Sequence, residues 1–386
     1  MTETFSSSTS APLPLREWPV PAARGSDMRF EAVTLTISAF ATLISLGVIA
    51  LVTGPVTMVA MGILAVVPLG IVLAVLLYID RWEPEPRPQK IFAFLWGAGA
   101  SVLGSLIVNT VAAVALSAGP YGSLYSEALT TVLGAPIIEE TFKCFGVLII
   151  LWARRRSLHS VIDGILYAGL IGAGFAFMEN ILYFAEAASE GGTTLGVIFV
   201  LRGVLSPFVH PIATSFFGIA IAYGVTHGGH HQSWAKFAPL GWLTAILFHA
   251  VWNGMAIISG PSWIVAYLFI QVPMFATWII LVLRESRREA RKIAIGLRPY
   301  VEQRWLLPAE VHMVTDTSRR RSALKWSRAG GPQAHHAMKA FLNDAAALGL
   351  DHYIMTTTGM DRERVEQGQQ LLANITANRR VFLSAM

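Results

Sequence analysis

Charge is scarce in this chain of 386 residues: Asp, Glu, Lys and Arg make up 14% of it, against about 25% in an ordinary soluble domain. Cysteine is scarcer still. Cys144 stands alone, which excludes a disulfide framework and a thiolate metal cluster and leaves that side chain a packing role. The first 29 residues, rich in Ser, Pro and Ala and carrying Arg16, Arg24 and Arg29, lack the short apolar core and cleavage site of a signal peptide; a disordered cytoplasmic tail is expected there. There is no internal repeat. The net charge of +5 does not point to nucleic acid as a partner, because cytoplasmic loops of membrane proteins carry excess Lys and Arg anyway.

What the chain has in abundance is apolar sequence, 54% of the total. Runs long enough to span a bilayer fall at Val33–Val52, Val56–Ile79, Ile91–Ser117, Ala128–Trp152, Val161–Phe184, Leu195–Val225, Phe237–Ile258 and Trp263–Leu283. Arg16, Arg24, Arg29, Arg81, Arg87, Lys90, Arg154, Arg155, Arg156 and Lys236 all fall in loops on one side, and the opposite loops hold no Lys or Arg. The expected fold is therefore all-α: a polytopic membrane helical bundle of about eight transmembrane helices over 30–284. Both termini are cytoplasmic, and the setting is a cell membrane whose lipid bilayer surrounds the bundle. Residues 285–386 are expected to form a mostly helical cytoplasmic tail, with helical patterns at His335–Leu350 and Arg362–Ala373 and basic runs, including Arg319 to Arg321, at anionic headgroups.

Spans one, two, three and eight contain no Asp, Glu, Lys, Arg or His, whereas spans four to seven hold Glu139, Glu140, Lys143, Asp163, Glu179, Arg202, His210 and His249. Each buried charge costs about 2.5 to 3.5 kcal/mol on insertion, so their confinement to four neighbouring helices implies one shared polar cavity. Glu139 and Lys143 lie about 40° apart on a helix and share a face, so Lys143 can hold Glu139; Glu140 points about 100° from Glu139. In span five, Gly169, Gly172 and Gly174 permit close packing that turns Glu179 and Asn180 toward the bundle. Asp163 is expected to cap the start of that helix. Pro207 and Pro211 flank His210 and imply a kink or break. Arg202 either snorkels outward or pairs with a carboxylate. His249 and Asn253 share a face of span seven, where Asn253 can orient the imidazole or bind a substrate carbonyl. His227, His230 and His231 are expected in a solvated loop, and IDRWEPEPRPQK as a stiff interfacial linker.

From DRWEPEP through EETFK (Glu139–Lys143), FAFMEN (Phe175–Asn180), the His210 region and HAVWN (His249–Asn253), the chain resembles the PrsW family of intramembrane proteases, within a larger group that includes the type II CAAX prenyl endopeptidases. It departs from the CAAX pattern at Glu179, where a histidine would stand. The resemblance implies hydrolysis of a peptide bond in a membrane-protein substrate, such as an anchored anti-sigma factor. One arrangement places zinc on Glu179, His210 and His249 with Glu139 or Glu140 as general base; the other is metal-free, with Glu139 activating water and His249 and Asn253 stabilising the oxyanion. The rival readings are a proton-coupled transporter with a Glu/His relay and a non-catalytic membrane scaffold.

Overall fold

The computed structural model describes residues 15–17, 28–117, 129–154, 158–228, 233–256 and 261–385. Most of the expected tail 1–29, with Arg155, Arg156, His230 and His231, lies outside them. Among the described residues there is no strand, and the chain is an all-α membrane bundle followed by a second helical unit.

The bundle belongs to the unit Ala23–Glu289, joined by Ile354–Met360. Helices α1 (Met28–Thr53) and α2 (Pro55–Ile79) are parted by Gly54, whose φ of 83° suits glycine, and Pro55 starts α2 where its missing N–H leaves nothing unsatisfied. Pro84 and Pro86 keep the following loop out of helix until α3 (Arg87–Trp96) begins. A π-turn at Gly97–Ser101 leads into α4 (Val102–Ser117), and another at Thr130–Gly134 leads into α5 (Ala135–Arg154).

Helix α6 (Val161–Glu190) is the hub, packed against its neighbours so thoroughly that 94% of its most apolar window is buried. Asp163 caps it as expected, in a capping box with Ser160. Span six breaks as its prolines require: α7 (Gly192–Ile198) passes through a π-turn, Phe199–Leu205, and a turn at 206–208 before α8 (Val209–His227) starts. The freed carbonyls of Leu201 and Leu205 accept from the Ser206 and Tyr267 hydroxyls at 2.6 and 2.7 Å, which keeps them satisfied at membrane depth. Helix α9 (Trp234–Ala256) lies along α8. After α10 (Pro261–Ala266) and a π-turn at Tyr267–Gln271 comes α11 (Val272–Glu302).

Six stretches among the described residues are long and apolar enough to cross a membrane: Ala32–Thr53, Pro55–Ile79, Arg87–Ala115, Val161–Glu190, Gly192–His227 and Ser262–Glu302. The other two expected spans correspond to α5 and α9, which carry Glu139, Glu140, Lys143, His249 and Asn253 and are less apolar for that reason. Span eight does not end where composition changes at Arg284, for α11 runs without a break to Glu302.

The other unit comprises Met1–Ala22, Ala290–Tyr353 and Asp361–Met386. It contains α12 (Pro308–Thr315), α13 (Thr317–Ser327), α14 (Gly331–Thr358) and α15 (Arg362–Ser384), so the two expected tail helices extend further than their patterns and two more precede them. Phe341, Leu342, Ala345 and Phe382 form its interior. Glu310 accepts two hydrogen bonds from Arg379, both at 2.7 Å, and Asp351 pairs with Arg364. Of the three arginines expected at headgroups, Arg320 is instead buried and donates to Asn343 at 2.7 Å.

Candidate active site

Helices α5, α6, α8 and α9, with the π-turn before α8, bring Glu139, Glu140, Lys143, Glu179, Arg202, His210 and His249 into one cluster, while Asp163 stays at the far end of α6. The seat depends on small residues. A Cβ on Gly172 of α6 would lie 2.6 Å from the carbonyl oxygen of His210, so glycine there lets the first turn of α8 press against α6. The break before α8 places His210 at its second residue, turned into the bundle.

At the centre is Lys143, wholly buried. Its Nζ donates to Glu140 Oε1 at 2.8 Å, approaches Glu139 Oε2 at 3.5 Å, lies 3.0 Å from His210 Nδ1 and sits 3.8 Å from the centroid of the Phe175 ring. Lys143 thus meets Glu139 as expected, but its closer partner is Glu140, because residues three apart on a helix differ by only about 60° and a lysine stem reaches either. Glu140 is saturated. Its Oε1 also faces His249 Nδ1 at 2.9 Å, and its Oε2 accepts from the Thr214 hydroxyl at 2.9 Å. Glu139 is less engaged, with His249 Nε2 at 3.9 Å as its other neighbour.

The two imidazoles meet edge to face, 4.8 Å between centroids. His210 Nε2 lies 2.7 Å from Glu179 Oε2, and Arg202 donates to Glu179 and, at 3.0 Å, to Asn180 Oδ1. Arg202 therefore pairs with a carboxylate, the second of its two expected roles. A cleft lined by Asn180, Arg202, Ser206, Pro207, His210 and Trp252 leads to His210 from this side. Asn253 shares α9 with His249 but donates to the Thr131 carbonyl at 2.8 Å; the group that holds the His249 ring is Glu140.

Donor atoms of Glu139, His210 and His249 all lie within 4.8 Å of one another. Glu179 is not one of that trio; its Oε2 is engaged by both His210 Nε2 and Arg202. Two imidazoles and one carboxylate form the donor set of catalytic zinc sites, and the Glu140 contact on His249 Nδ1 leaves Nε2 as the ligating atom, as carboxylate–histidine–metal arrangements require. Two buried carboxylates and the half-buried Glu179 face two cations among the described residues, Lys143 and Arg202, so a divalent ion also suits the charge. Sequence reasoning missed Thr214 and Phe175. The signal for both was helical spacing, four residues after His210 and four before Glu179.

A multi-span helical protein with water-activating groups gathered at membrane depth has the make-up of an intramembrane hydrolase. A family model described as PrsW family intramembrane metalloprotease matches residues 85–278. The chain belongs to the PrsW family of intramembrane metalloproteases, and is an intramembrane peptidase. It is 27% identical over 227 residues to Protease PrsW of Oceanobacillus iheyensis, an alignment covering 57% of this chain and 94% of that relative. With Protease PrsW of Clostridioides difficile it shares 24% identity over 238 residues, 61% of this chain and 94% of the relative. No solved structure matches it.

Proposed function

We propose that Glu139 is the carboxylate that activates water, and that it shares with His210 and His249 a zinc site. The supporting observation is the contrast between adjacent glutamates: Glu140 is held by Lys143, His249 and Thr214, while the nearest polar atoms to Glu139 are at 3.5 and 3.9 Å. Glu139 has the capacity to take a new partner. A bound zinc ion would supply Lewis acidity toward the scissile carbonyl and a water of lowered pKa.

The rest falls to the chain's own side chains. Glu139 accepts a proton from water as its oxygen attacks the carbonyl carbon, then returns that proton to the amide nitrogen. The C–N bond breaks and leaves a carboxylate and an amine. Glu140 fixes the His249 ring, Glu179 and Arg202 fix His210, and Lys143 offsets the buried negative charge. Asn180 and Arg202, which line the cleft beside His210, would hold a substrate backbone.

The substrate is a membrane-anchored protein, such as an anti-sigma factor, and the enzyme lies in the cell membrane with both termini cytoplasmic; the one-sided distribution of Lys and Arg in the loops supports that orientation. Wild type, Glu139→Gln and His249→Ala, each purified and incubated with a single-span substrate in detergent, test the reading. Cleavage by wild type alone is expected. Turnover by Glu139→Gln within about tenfold of wild type, under 1.4 kcal/mol of barrier, would sink it. Full activity in metal-free protein removes the zinc part and leaves the glutamate part standing.

A further inference from the structure

A second group of ligand-type side chains lies 16 residues back along α6 from Glu179, from Asp163 onward, or about 24 Å away. The linker between α2 and α3 contributes Glu83 and Glu85, the residue before the Ser160 cap of α6 is His159, and Asp163 is the acidic member of that capping box. One donor atom from each of the four lies within 4.8 Å of every other.

Glu85 is the informative member. It is 3% exposed; its Oε2 accepts from the Tyr167 hydroxyl at 2.6 Å, but its Oε1 is buried with no hydrogen-bond partner. A carboxylate oxygen left so is expensive, by about 1 to 3 kcal/mol or more, and a buried orphan atom of this kind calls for a partner. The linker's own cations are committed elsewhere. Lys90 donates to Asp80 at 2.5 Å, Arg81 stacks on Tyr78 and Trp82, and Arg87 is exposed. The pocket is short of positive charge.

The geometry is already organised for binding. Asp163 Oδ2 accepts from the backbone N–H groups of His159 and Ser160 at 2.7 and 2.8 Å, which sets the His159 backbone, and His159 Nδ1 lies 3.1 Å from Glu83 Oε2. Backbone N–H of Glu85 donates to Asp80 at 2.9 Å and fixes the linker side.

We propose that Glu83, Glu85, His159 and Asp163 form a second metal site, distinct from the hydrolytic one, that takes a divalent transition cation and clips the linker between α2 and α3 to the start of α6. An imidazole among carboxylates favours zinc or manganese over calcium and magnesium, which prefer oxygen alone. The site stands on its own residues and does not depend on how the hydrolytic cluster works.

The test uses the full-length, untagged chain in detergent, with Zn2+ alone as the probe. In Glu139→Gln/His249→Ala, which removes two donors from the hydrolytic cluster, about one Zn2+ per chain is expected to remain after desalting, with a Zn2+-dependent rise in melting temperature. Adding Glu85→Gln is expected to weaken that binding by about 10- to 100-fold or more. Should the Glu85 variant not fold, Glu83→Gln, at the half-buried rim, gives the same readout. A Glu139→Gln/His249→Ala chain that takes up no Zn2+ overturns the proposal, as does Zn2+ binding unaltered by the Glu85 or Glu83 change, which would place the ion at the loop histidines instead.

Discussion

His249 Nδ1 lies 2.9 Å from Glu140 Oε1, the same oxygen that accepts from Lys143 Nζ at 2.8 Å. One carboxylate thus sets the tautomer and tilt of the imidazole and cancels the only ammonium in the cluster. Removing it does two kinds of damage, which different variants separate. Glu140→Ala leaves Lys143 buried beside an empty space, and a loss of about 3 to 5 kcal/mol is expected. Glu140→Gln/Lys143→Met, in which neither charge remains, is expected to regain most of that stability in thermal unfolding while peptide hydrolysis stays lost.

Gly172 permits the approach of α8 to α6, since a Cβ there would meet the His210 carbonyl oxygen at 2.6 Å and Pro211 N at 2.7 Å. Gly172→Ala is expected to cost about 1 to 3 kcal/mol, despite the better helix propensity of alanine, and to lower kcat by moving His210. Gly196→Ala is the control, with nothing within 4 Å of the added carbon. Equal melting temperatures and rates in the two variants would show that the contact is unimportant.

Arg202 holds Glu179 and Asn180 together across the break in span six. Arg202→Met is expected to reduce kcat/KM by at least tenfold, because Glu179 then drifts from His210. Arg202→Lys is expected to fall between it and wild type, a point charge replacing a planar fork. A steady-state comparison of the three with one single-span substrate decides the matter.

In the second unit, burial pushes the Asp344 carboxyl from 3.8 up to about 7. The folded chain then binds this proton more tightly than the unfolded one, so the contribution of Asp344 to stability is greatest at low pH, falls as pH rises from about 4 to 7, and changes no further above that. Asp344→Asn is expected to raise the melting temperature at pH 8 and flatten its decline over that window. Melting curves from pH 4 to 8 provide the check.

The class of fold was legible because lipid imposes long apolar runs, and the location of the cluster was legible because charge avoids every other span. Contacts within it were not. Lys143 is about 40° from Glu139 and about 60° from Glu140 on the same helix, so spacing alone does not choose between them. Asn253 matches the helical face of His249, yet a carbonyl on another segment, that of Thr131, captures its amide. In the tail, Ala337, Phe341 and Ala345 marked the core face of one helix correctly, whereas the short helices Pro308–Thr315 and Thr317–Ser327 were not legible because polar residues dilute their periodicity.

Helix α6 is almost wholly enclosed by protein. A segment so shielded by protein is largely relieved of the bilayer's demand for hydrocarbon and answers mainly to its neighbours, so residue changes along it are read by fit and not by greasiness. Conversely, the outward faces of α1 and α2, where Ile37, Phe40, Leu43, Val59 and Ile63 look into the membrane, tolerate exchange among aliphatic side chains. Tolerance to substitution in this molecule should therefore grade radially, from strict at the axis to lax at the rim, irrespective of how hydrophobic each helix looks.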